Sequence, residues 1–592
     1  MYARALAAPA LVAALLAGSA DAAIDMGVGC DAGVGRSTDL INAINLANIE
    51  GGGTIRLAAG CTYTFTQKNN DWYGPNALPP IQSAITIEGN GATLVASHVG
   101  DPTPATANAF RFFYVSGGME SPAGALTLHR LTLRGGYAKG GDSGFGGGGA
   151  GMGGAIFNQG TLALIDTTIL GCTAHGGNYN PNIFGGGGMG QDGDPAGQQG
   201  NGGGFGGSML PGAFQPLSSG GLGGNPGSGG GGGGFLPGDN GGNGMTASGN
   251  NIVPGGRGGG RGGLGGSPGG GDGGQGGEGG SVAAGGHGGG FGQGRDGGGT
   301  VGGGGGVGSG GGGNVYGAGH PGAGGGFGGG GGFCGAGGFG GGAGTEFGAP
   351  TLPGFGGGTG GGAGMGGAIF NHTGSVQLRN ASLIGNTAVG GTGITTYGSG
   401  LGAAIFNLNG TVEISFSTIA RNTVINSNGM PISGGPADGA VYSIAYGNDI
   451  LDGSASGALL TIRNSIVFAT AGAASEVVNN AVNGNNPNVA GLTFAGANIV
   501  PSYSNYSFLD GNSTTPFNAD PKFGSLSTYP GAPLVLPIGA ASPAYNAAAD
   551  CKDAGGNPVT TDARGIARPQ FGACDLGAYE YDGDYIFANG FD

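Results

Sequence analysis

Short segments in which apolar and polar residues alternate recur on both sides of a very long glycine-rich stretch. Three of these segments are Thr161–Ile165, Ser375–Arg379 and Thr411–Ser415, and a second β-rich segment follows each of them closely. Alternation of this kind places one face of a strand in a core and the other face in solvent. Two strands and two turns per unit predict one coil of a β-solenoid.

The spacing of equivalent residues predicts how the coils stack. Leu126 and Leu162 are 36 residues apart, and Val376 and Val412 are also 36 residues apart. This regular spacing favours coils that stack in register. From Leu162 to Val376 the spacing is 214 residues, so the sequence predicts a large insertion between two neighbouring coils.

An octapeptide repeat marks one corner of the predicted coil. Gly151–Asn158 recurs at Gly364–Asn371, and a shorter variant ends at Asn407. Asn tolerates the left-handed backbone conformation of a corner, and stacked amides can hydrogen-bond along a solenoid. We therefore predict an internal asparagine ladder of Asn158, Asn371 and Asn407, with an ordinary exposed turn residue as the alternative.

The exposed strand edges at the ends of a solenoid require caps. The segment from Ser37 to Ala47 carries apolar residues at helical spacing, and Ser37 or Thr38 is a candidate N-cap. We expect this helix to cover the first coil. The region from about residue 490 onward contains more Pro, Tyr and Asp and few repeats, which favours a small irregular C-terminal cap.

Composition narrows the class of protein and its partners. Glycine accounts for 160 of 592 residues, the net charge is −15, and only 9% of residues are charged. This acidic balance argues against nucleic acid or an anionic membrane surface as a partner. The first residues combine Arg4, an apolar run and the Ala20-Asp21-Ala22 cleavage pattern, which predicts a secretory signal peptide and a mature chain beginning near Ala23. No later stretch has the length of a membrane span.

Six cysteines fit a secreted protein, in which disulfides are permitted. Six cysteines allow fifteen connectivities. We predict two local pairs, Cys30 with Cys61 and Cys551 with Cys574, each worth about 3 kcal/mol. The state of Cys172 and Cys334, which flank or lie within the glycine-rich stretch, stays open. No C-x-x-C pair occurs, so a zinc site is not expected.

The glycine-rich stretch has two interpretations. A chain with few apolar residues and high glycine entropy tends to be disordered. Between Arg261 and Ser281, however, side chains recur at period three and are separated mostly by glycine pairs. A three-residue helix would place these side chains on one edge and glycines on the others, as in a bundle of polyglycine-II helices. Phenylalanines such as Phe327 and Phe339 would then pin the bundle.

The repeats resemble those of bacterial pectate-lyase-like right-handed β-helix proteins, including polymorphic-outer-membrane-protein-like surface proteins. The resemblance rests on units such as the one from Gly366 to Ala388. Four spaced motifs resemble, in order, the choice-of-anchor Q domain: Asp520–Leu526, Leu536–Asn546, Thr561–Pro569 and Cys574–Glu580. The resemblance implies an all-β, right-handed parallel β-helix in a secreted or cell-surface bacterial protein. The residue patterns described above add an N-terminal capping helix and a large glycine-rich insertion to this fold.

Together these patterns divide the chain into five parts. We expect a signal peptide (1–22), an N-terminal cap and first coils (23–175), a glycine-rich lobe that is disordered or polyglycine-II-like (176–364), further coils (365–489), and a choice-of-anchor-Q-like C-terminal cap with a short tail (490–592).

Candidate catalytic residues do not form an evident acid cluster in the sequence. Cleavage of polysaccharides requires clustered acids with a base, or paired carboxylates. The coils offer Arg56, Glu88, His129, Arg379 and Glu413, while Asp166, Asn380 and Asn464 align at one corner. Near the C-terminus, the charged residues Asp562, Arg564, Arg568 and Asp575 are interpreted as a structural ion-pair cluster.

The sequence therefore favours a structural or adhesive protein without catalytic activity, and predicts no cofactor, no metal and no catalytic residue. The candidate partners are extracellular polysaccharides or cell-surface components. One alternative is a polysaccharide lyase or glycoside hydrolase acting on the β-helix face. Another is a glycan- or ice-binding protein that uses an ordered polyglycine lobe.

Overall fold

The computed structural model describes residues 24–98, 108–118, 121–144, 147–183, 187–192, 247–248, 251–252, 308, 325, 327–332, 337–344, 359–394, 396–426, 438–446, 456–482, 487–548 and 550–583. The predicted signal peptide, Cys334 and the period-three segment between Arg261 and Ser281 lie outside these residues.

Nearly all regular structure in these residues is β. Before the glycine-rich stretch the elements are β1 (Ile24–Val28), β2 (Cys30–Asp31), β3 (Val34–Gly35), α1 (Ser37–Ile49), β4 (Gly52–Leu57), β5 (Thr62–Phe65), β6 (Ala84–Ala96), β7 (Phe113–Val115), β8 (Ala125–Arg134), β9 (Tyr137–Lys139), β10 (Gly151–Met152), β11 (Ile156–Asn158), β12 (Thr161–Ile165), β13 (Thr168–Leu170) and β14 (Thr173–His175). Within the stretch lie β15 (Ala247–Ser248) and β16 (Asn251–Ile252), which pair with each other.

The same order of strands resumes after the glycine-rich stretch. The elements are β17 (Gly364–Met365), β18 (Ile369–His372), β19 (Ser375–Arg379), β20 (Ser382–Ile384), β21 (Thr387–Val389), β22 (Gly400–Leu401), β23 (Ile405–Leu408), β24 (Thr411–Ser415), β25 (Thr418–Ala420), β26 (Thr423–Ile425), β27 (Val441–Tyr446), β28 (Gly457–Arg463), β29 (Ile466–Phe468), β30 (Val477–Val482), β31 (Val489–Ala495), β32 (Tyr503–Asn505) and β33 (Phe508–Leu509).

Successive coils pair in parallel, which makes the fold solenoid-like. The longest stack runs β1, β4, β6, β8, β12, β19, β24, β28, β31 and β33. A second stack runs β7, β11, β18, β23, β27, β30 and β32, and a third runs β9, β14, β21 and β26. These stacks form the sides of one column, and each strand in them repeats the direction of the strand below.

The core of the column consists of rows of identical or similar apolar side chains. One row contains Ile55, Ile87, Leu128, Leu164, Leu378, Ile414, Ile462 and Phe494, which occupy equivalent positions in neighbouring strands and are fully buried. Each such side chain contributes about 1.5–3 kcal/mol through burial. The alternation seen in the sequence therefore corresponds to an inner and an outer face of each strand.

The register across the insertion follows the spacing of the sequence. Leu162 in β12 lies beside Val376 in β19, so the two coils that flank the glycine-rich stretch are direct neighbours. Beyond residue 489, β31 to β33 still pair with the coils below them. The stack therefore extends further than the boundary predicted from sequence.

Helix α1 covers the first strands of the column. Its buried residues are Leu40, Ala43, Ile44 and Ala47, which join the main core. The predicted N-cap is wrong, because Arg36 occupies that position without a side-chain cap. The Ser37 hydroxyl instead donates to the carbonyl of Thr64, at 2.7 Å, and ties the helix to β5.

The three predicted ladder asparagines lie in one buried file. The Asn158 amide donates to Oδ1 of Asn371 at 2.7 Å, and the Asn371 amide donates to Oδ1 of Asn407 at 2.8 Å. The file continues to the Ser443 hydroxyl. The left-handed backbone expected of these asparagines is wrong for this corner, where Thr373 and Asn409 are the residues that adopt positive φ.

Described glycines form a layer beside the column with hydrogen bonds in several directions. For example, the backbones of Gly148 and Gly149 form hydrogen bonds with those of four other glycines, namely Gly141, Gly177, Gly330 and Gly360. A β-strand has only two hydrogen-bonded neighbours, whereas glycine helices of three-fold symmetry can bond to more. These described glycines therefore bond laterally to several other stretches of the chain.

The layer is too tight for any side chain at its centre. A Cβ added to Gly362 would lie 1.8 Å from the carbonyl oxygen of Gly149, and one added to Gly147 would lie 1.7 Å from that of Gly330. Such distances are far inside van der Waals contact. Glycine is therefore required here by the close approach of the backbones.

An aromatic row joins the glycine layer to the column. Phe157, Phe370, Phe406 and Tyr442 stack along the second side, with ring centroids 5.1–5.5 Å apart. Phe327, which belongs to the glycine-rich stretch, is buried and lies 6.1 Å from the Phe406 ring. Stacked and edge-to-face pairs of this kind contribute about 0.5–1.5 kcal/mol each beyond burial.

Two disulfides close local loops at opposite ends of the sequence. They join Cys30 to Cys61 and Cys551 to Cys574. Two disulfides suggest that the protein resides in an oxidising, extracellular environment. Cys172 is a buried free thiol, and burial raises its pKa to about 12.

We expect Asn407→Leu to lower the free energy of unfolding by about 2–4 kcal/mol, because it removes two partners from buried amide and carbonyl groups. Denaturant titration of the full chain measures this change. The exposed Asn182 provides the control, since Asn182→Leu should leave the midpoint unchanged. Equal midpoints for Asn407→Leu and the wild type would contradict a structural ladder.

We expect Gly362→Ala to destabilise the protein by about 1–3 kcal/mol, because the added methyl group overlaps the Gly149 carbonyl. Thermal unfolding measures the effect. Gly511→Ala is the matched control, since nothing lies within 4 Å of a Cβ at that position. The same melting temperature in both variants would show that the glycine layer does not contribute to the stability of the column.

Candidate functional site

One corner of the column is defined by a file of residues with left-handed backbone. Asp166, Asn380 and Asn464 adopt φ values of 48°, 51° and 50°, and Arg130 and Phe416 adopt similar values in the same file. Asp and Asn tolerate this conformation better than most residues. The alignment of Asp166, Asn380 and Asn464 inferred from the sequence agrees with their place in the structure.

A histidine lies between two carboxylates beside this corner. His129 Nδ1 lies 2.6 Å from Oε2 of Glu88, and its Nε2 lies 3.1 Å from Oδ2 of Asp166. Each of the three residues comes from a different, successive coil. No acid cluster is evident in the sequence, because Glu88 and Asp166 occupy different positions of their coils and converge only through the histidine between them.

The two contacts change the acidity of the histidine. The hydrogen bond with Asp166 raises the pKa of His129, and the hydrogen bond and charge of Glu88 add to this, while partial burial opposes it. The side chain of Asp166 is only 8% exposed, and that of His129 is 30% exposed. The cluster is therefore a partly covered charged network and not an open pair of acids.

A charged row continues from this cluster toward the N-terminal end. Arg56 lies directly beside Glu88 in the register of β4 and β6, and its guanidinium pairs with Asp25 at 2.9 Å. On the other side of His129, the register places Ile165 and then Arg379. Charges of opposite sign thus alternate from coil to coil over the first strands.

The C-terminal segment (517–583) packs lengthwise along the same corner. The Asn380 amide donates to the carbonyl of Thr561 at 2.8 Å, and the Asn464 amide donates to that of Asp550 at 3.1 Å. The Thr168 hydroxyl donates to the carbonyl of Leu534. The segment therefore contacts several coils along the side of the column, whereas a cap was expected to contact one end.

Buried ion pairs hold this segment together, as the structural interpretation of its charged residues requires. Arg568 pairs with Glu580 at 2.9 Å, with side chains 0% and 1% exposed. Arg564 pairs with Asp562 at 2.9 Å. Burial raises the pKa of Asp575, although backbone donors and Arg568 oppose the shift.

Arg568 also joins the segment to the column. Its guanidinium lies 4.7 Å above the Phe416 ring and donates to the carbonyl of Gly577. It also approaches Oδ1 of Asn380, at 3.5 Å. Glu580 accepts hydrogen bonds from the Arg568 guanidinium and from the backbone of Asp575 and Gln570. These contacts leave Glu580 engaged inside the protein.

The outer face of the longest stack presents a second feature, which we call the outer row. It contains the residues Thr54, Thr86, Thr127, Ala163, Gln377, Glu413, Thr461 and Thr493, one from each successive strand. All of them are partly or fully exposed. Neighbouring members lie about 4.8 Å apart along the column. The row thus forms a straight, mostly polar file.

Among the described residues, no group of three or more His, Cys, Asp or Glu side chains is placed to hold a metal ion. In the part of the chain that the structure describes, no helix has both the length and the apolar character of a membrane span. None of the family models, curated proteins or solved structures compared with this chain matches it.

We expect Arg568→Met to lower the free energy of unfolding by about 3–5 kcal/mol, because it leaves the buried Glu580 carboxylate without its cation. Arg36→Met removes a solvent-exposed ion pair and should have no measurable effect. Urea titration of both variants tests the contrast. Equal stability of the two variants would contradict a structural role for the Arg568–Glu580 pair.

Proposed function

We propose that this chain is a secreted or cell-surface right-handed parallel β-helix protein with a structural, adhesive role and no catalytic activity. The stacked parallel sheets and the two disulfides support the coarser part of this proposal. The resemblance of the repeats to pectate-lyase-like surface proteins, and of the C-terminal motifs to the choice-of-anchor Q domain, supports the rest.

The outer row is the observation that carries the adhesive role. A straight file of hydroxyl and amide groups, repeated at each coil, suits a long ligand that offers hydrogen-bonding groups at intervals along its length. An extended extracellular polysaccharide has this chemistry. The row is nearly free of charge apart from Glu413, and the net charge of −15 disfavours polyanions such as nucleic acid.

The state of the acidic groups favours adhesion over cleavage. A glycosidase requires two carboxyl groups that flank the scissile bond with access to the sugar. Glu88 and Asp166 instead bind the two nitrogens of one histidine, and Asp166 is almost covered. Glu580 and Asp562 are buried in ion pairs of the C-terminal segment. These contacts support a structural use of the carboxylates.

We expect the full chain to be retained on an insoluble polysaccharide, tested on pectin gel, chitin and cellulose, without release of reducing or unsaturated ends. The triple variant Thr86→Val, Thr127→Val and Thr461→Val keeps the shape of the outer row but removes three hydroxyls. Its dissociation constant should rise about tenfold or more, since each lost hydrogen bond contributes about 0.5–1.5 kcal/mol.

The matched control replaces the same three threonines by serine, which keeps the hydroxyl groups and should preserve most of the binding. Equal retention of the valine variant would show that the outer row is not the binding surface. Release of sugar products would replace adhesion by the lyase or hydrolase alternative. Failure to bind any of the polysaccharides would remove the main support for this ligand class.

A further inference from the structure

We propose that Glu88, His129 and Asp166 form a pH-sensitive clasp that controls how firmly the C-terminal segment is docked on the column. The clasp is distinct from the outer row. It acts on the corner where the C-terminal segment lies, and therefore regulates the attachment of that segment independently of any ligand.

The geometry requires a protonated histidine for both contacts. A neutral imidazole carries one N–H donor, whereas an imidazolium carries two. Both ring nitrogens of His129 lie within hydrogen-bonding distance of a carboxylate oxygen, which can only accept when it is ionised. Loss of the proton therefore removes one hydrogen bond and leaves a nitrogen lone pair facing a carboxylate.

The surrounding charges favour the protonated form. Glu88 comes from the preceding coil and Asp166 from the following coil, and both attract the imidazolium. Arg56 lies beyond Glu88, and Arg568 of the C-terminal segment acts on Asp166 at longer range. Arg130 follows His129 in the chain and lies near Gly565 of the C-terminal segment. The two carboxylates in direct contact dominate over these cations.

A short chain of hydrogen bonds connects the clasp to the C-terminal segment. Oδ1 of Asp166 accepts from the Asn380 amide at 3.0 Å, while Oδ2 of the same carboxylate binds His129. The Asn380 amide also donates to the carbonyl of Thr561. The position of the Asp166 carboxylate therefore fixes the Asn380 amide, which binds the C-terminal segment. The position of that carboxylate depends in turn on the charge of His129.

The sign of the pH effect follows from the direction of the pKa shift. The pKa of His129 is raised above its ordinary value near 6.5 in the folded protein. Its stabilising contribution is therefore fully present below about pH 6.5 and is lost as the pH rises through the raised pKa. The clasp is therefore closed below about pH 6.5 and opens as the pH rises through the raised pKa of His129.

We test the clasp by hydrogen exchange of backbone amides, followed by mass spectrometry, in the wild type and in His129→Gln from pH 5.5 to 8.5. Amides of residues 561–568 should exchange about tenfold faster in the variant than in the wild type at pH 5.5. The two rates should converge as the pH rises through the raised pKa of His129. Taking the ratio at each pH cancels the intrinsic pH dependence of exchange.

The ratio also cancels the contribution of other histidines. Burial lowers the pKa of His175, which gives a pH dependence of the opposite sign in both proteins. His98→Gln is the control, since its ring nitrogens contact the carbonyls of Asn108 and Gly135. This variant should keep the wild-type response of residues 561–568.

A second variant keeps the proposal testable if His129→Gln folds poorly. Glu88→Gln retains the contact with Asp166 but removes one negative charge, so the loss of protection should move to lower pH. A wild-type to His129→Gln ratio that does not change with pH would overturn the clasp. The clasp would also be overturned if Glu88→Gln lost the protection of residues 561–568 at the same pH as the wild type.

Discussion

In-register hydrogen bonding between successive coils is the constraint on which the rest of this structure depends. Each strand of the column pairs in parallel with the strand below and the strand above, so equivalent residues lie about 4.8 Å apart. The pairing satisfies the backbone within the strands, and side chains of the next coil accept from some backbone N–H groups at the corners, as Asn422 does from Asn386. The pairing also forces residues of like character into files, because a shift of one residue would turn every core side chain toward solvent.

The files explain several otherwise separate features. The buried row of Ile and Leu residues lies in the longest stack, whereas the asparagine ladder and the aromatic row occupy adjacent positions of the second stack. The described glycines beside the column also pack at close spacing, because their backbones bond to one another and leave no room for a Cβ. Phe327 then fills the contact between this layer and the aromatic row.

Charged residues beside the corner also lie in a file along the column. Repulsion between identical charges stacked about 4.8 Å apart would be unfavourable, and the file avoids it by alternating Arg56, Glu88 and His129 across neighbouring coils. Asp25, which lies beside Thr54 in the register, pairs with the Arg56 guanidinium from two positions away. The C-terminal segment lies along this corner, and its buried ion pairs join residues within the segment itself. A surface row that is mostly uncharged remains on the other part of the outer face, where the adhesive role is proposed.

The sequence by itself determined the coil, its repeat of 36 residues, the neighbouring positions of Leu162 and Val376 and the file of Asp166, Asn380 and Asn464. Periodicity carries this information because parallel stacking gives equivalent positions of successive coils the same surroundings, so similar residues recur at a fixed spacing. The two local cysteine pairs lie joined in the structure, and the ladder asparagines lie in contact. In both cases the residues that meet are close in sequence or hold the same position in the repeat.

Only the tertiary structure decided which residues from different positions of the repeat meet. Glu88 and Asp166 converge on His129 because the column turns a corner between them, and no spacing in the sequence encodes that turn angle. The course of the C-terminal segment along the side of the column was also hidden, because its contacts join residues without a shared period. The sequence determined what repeats, and the three-dimensional path of the chain decided what the unique residues touch.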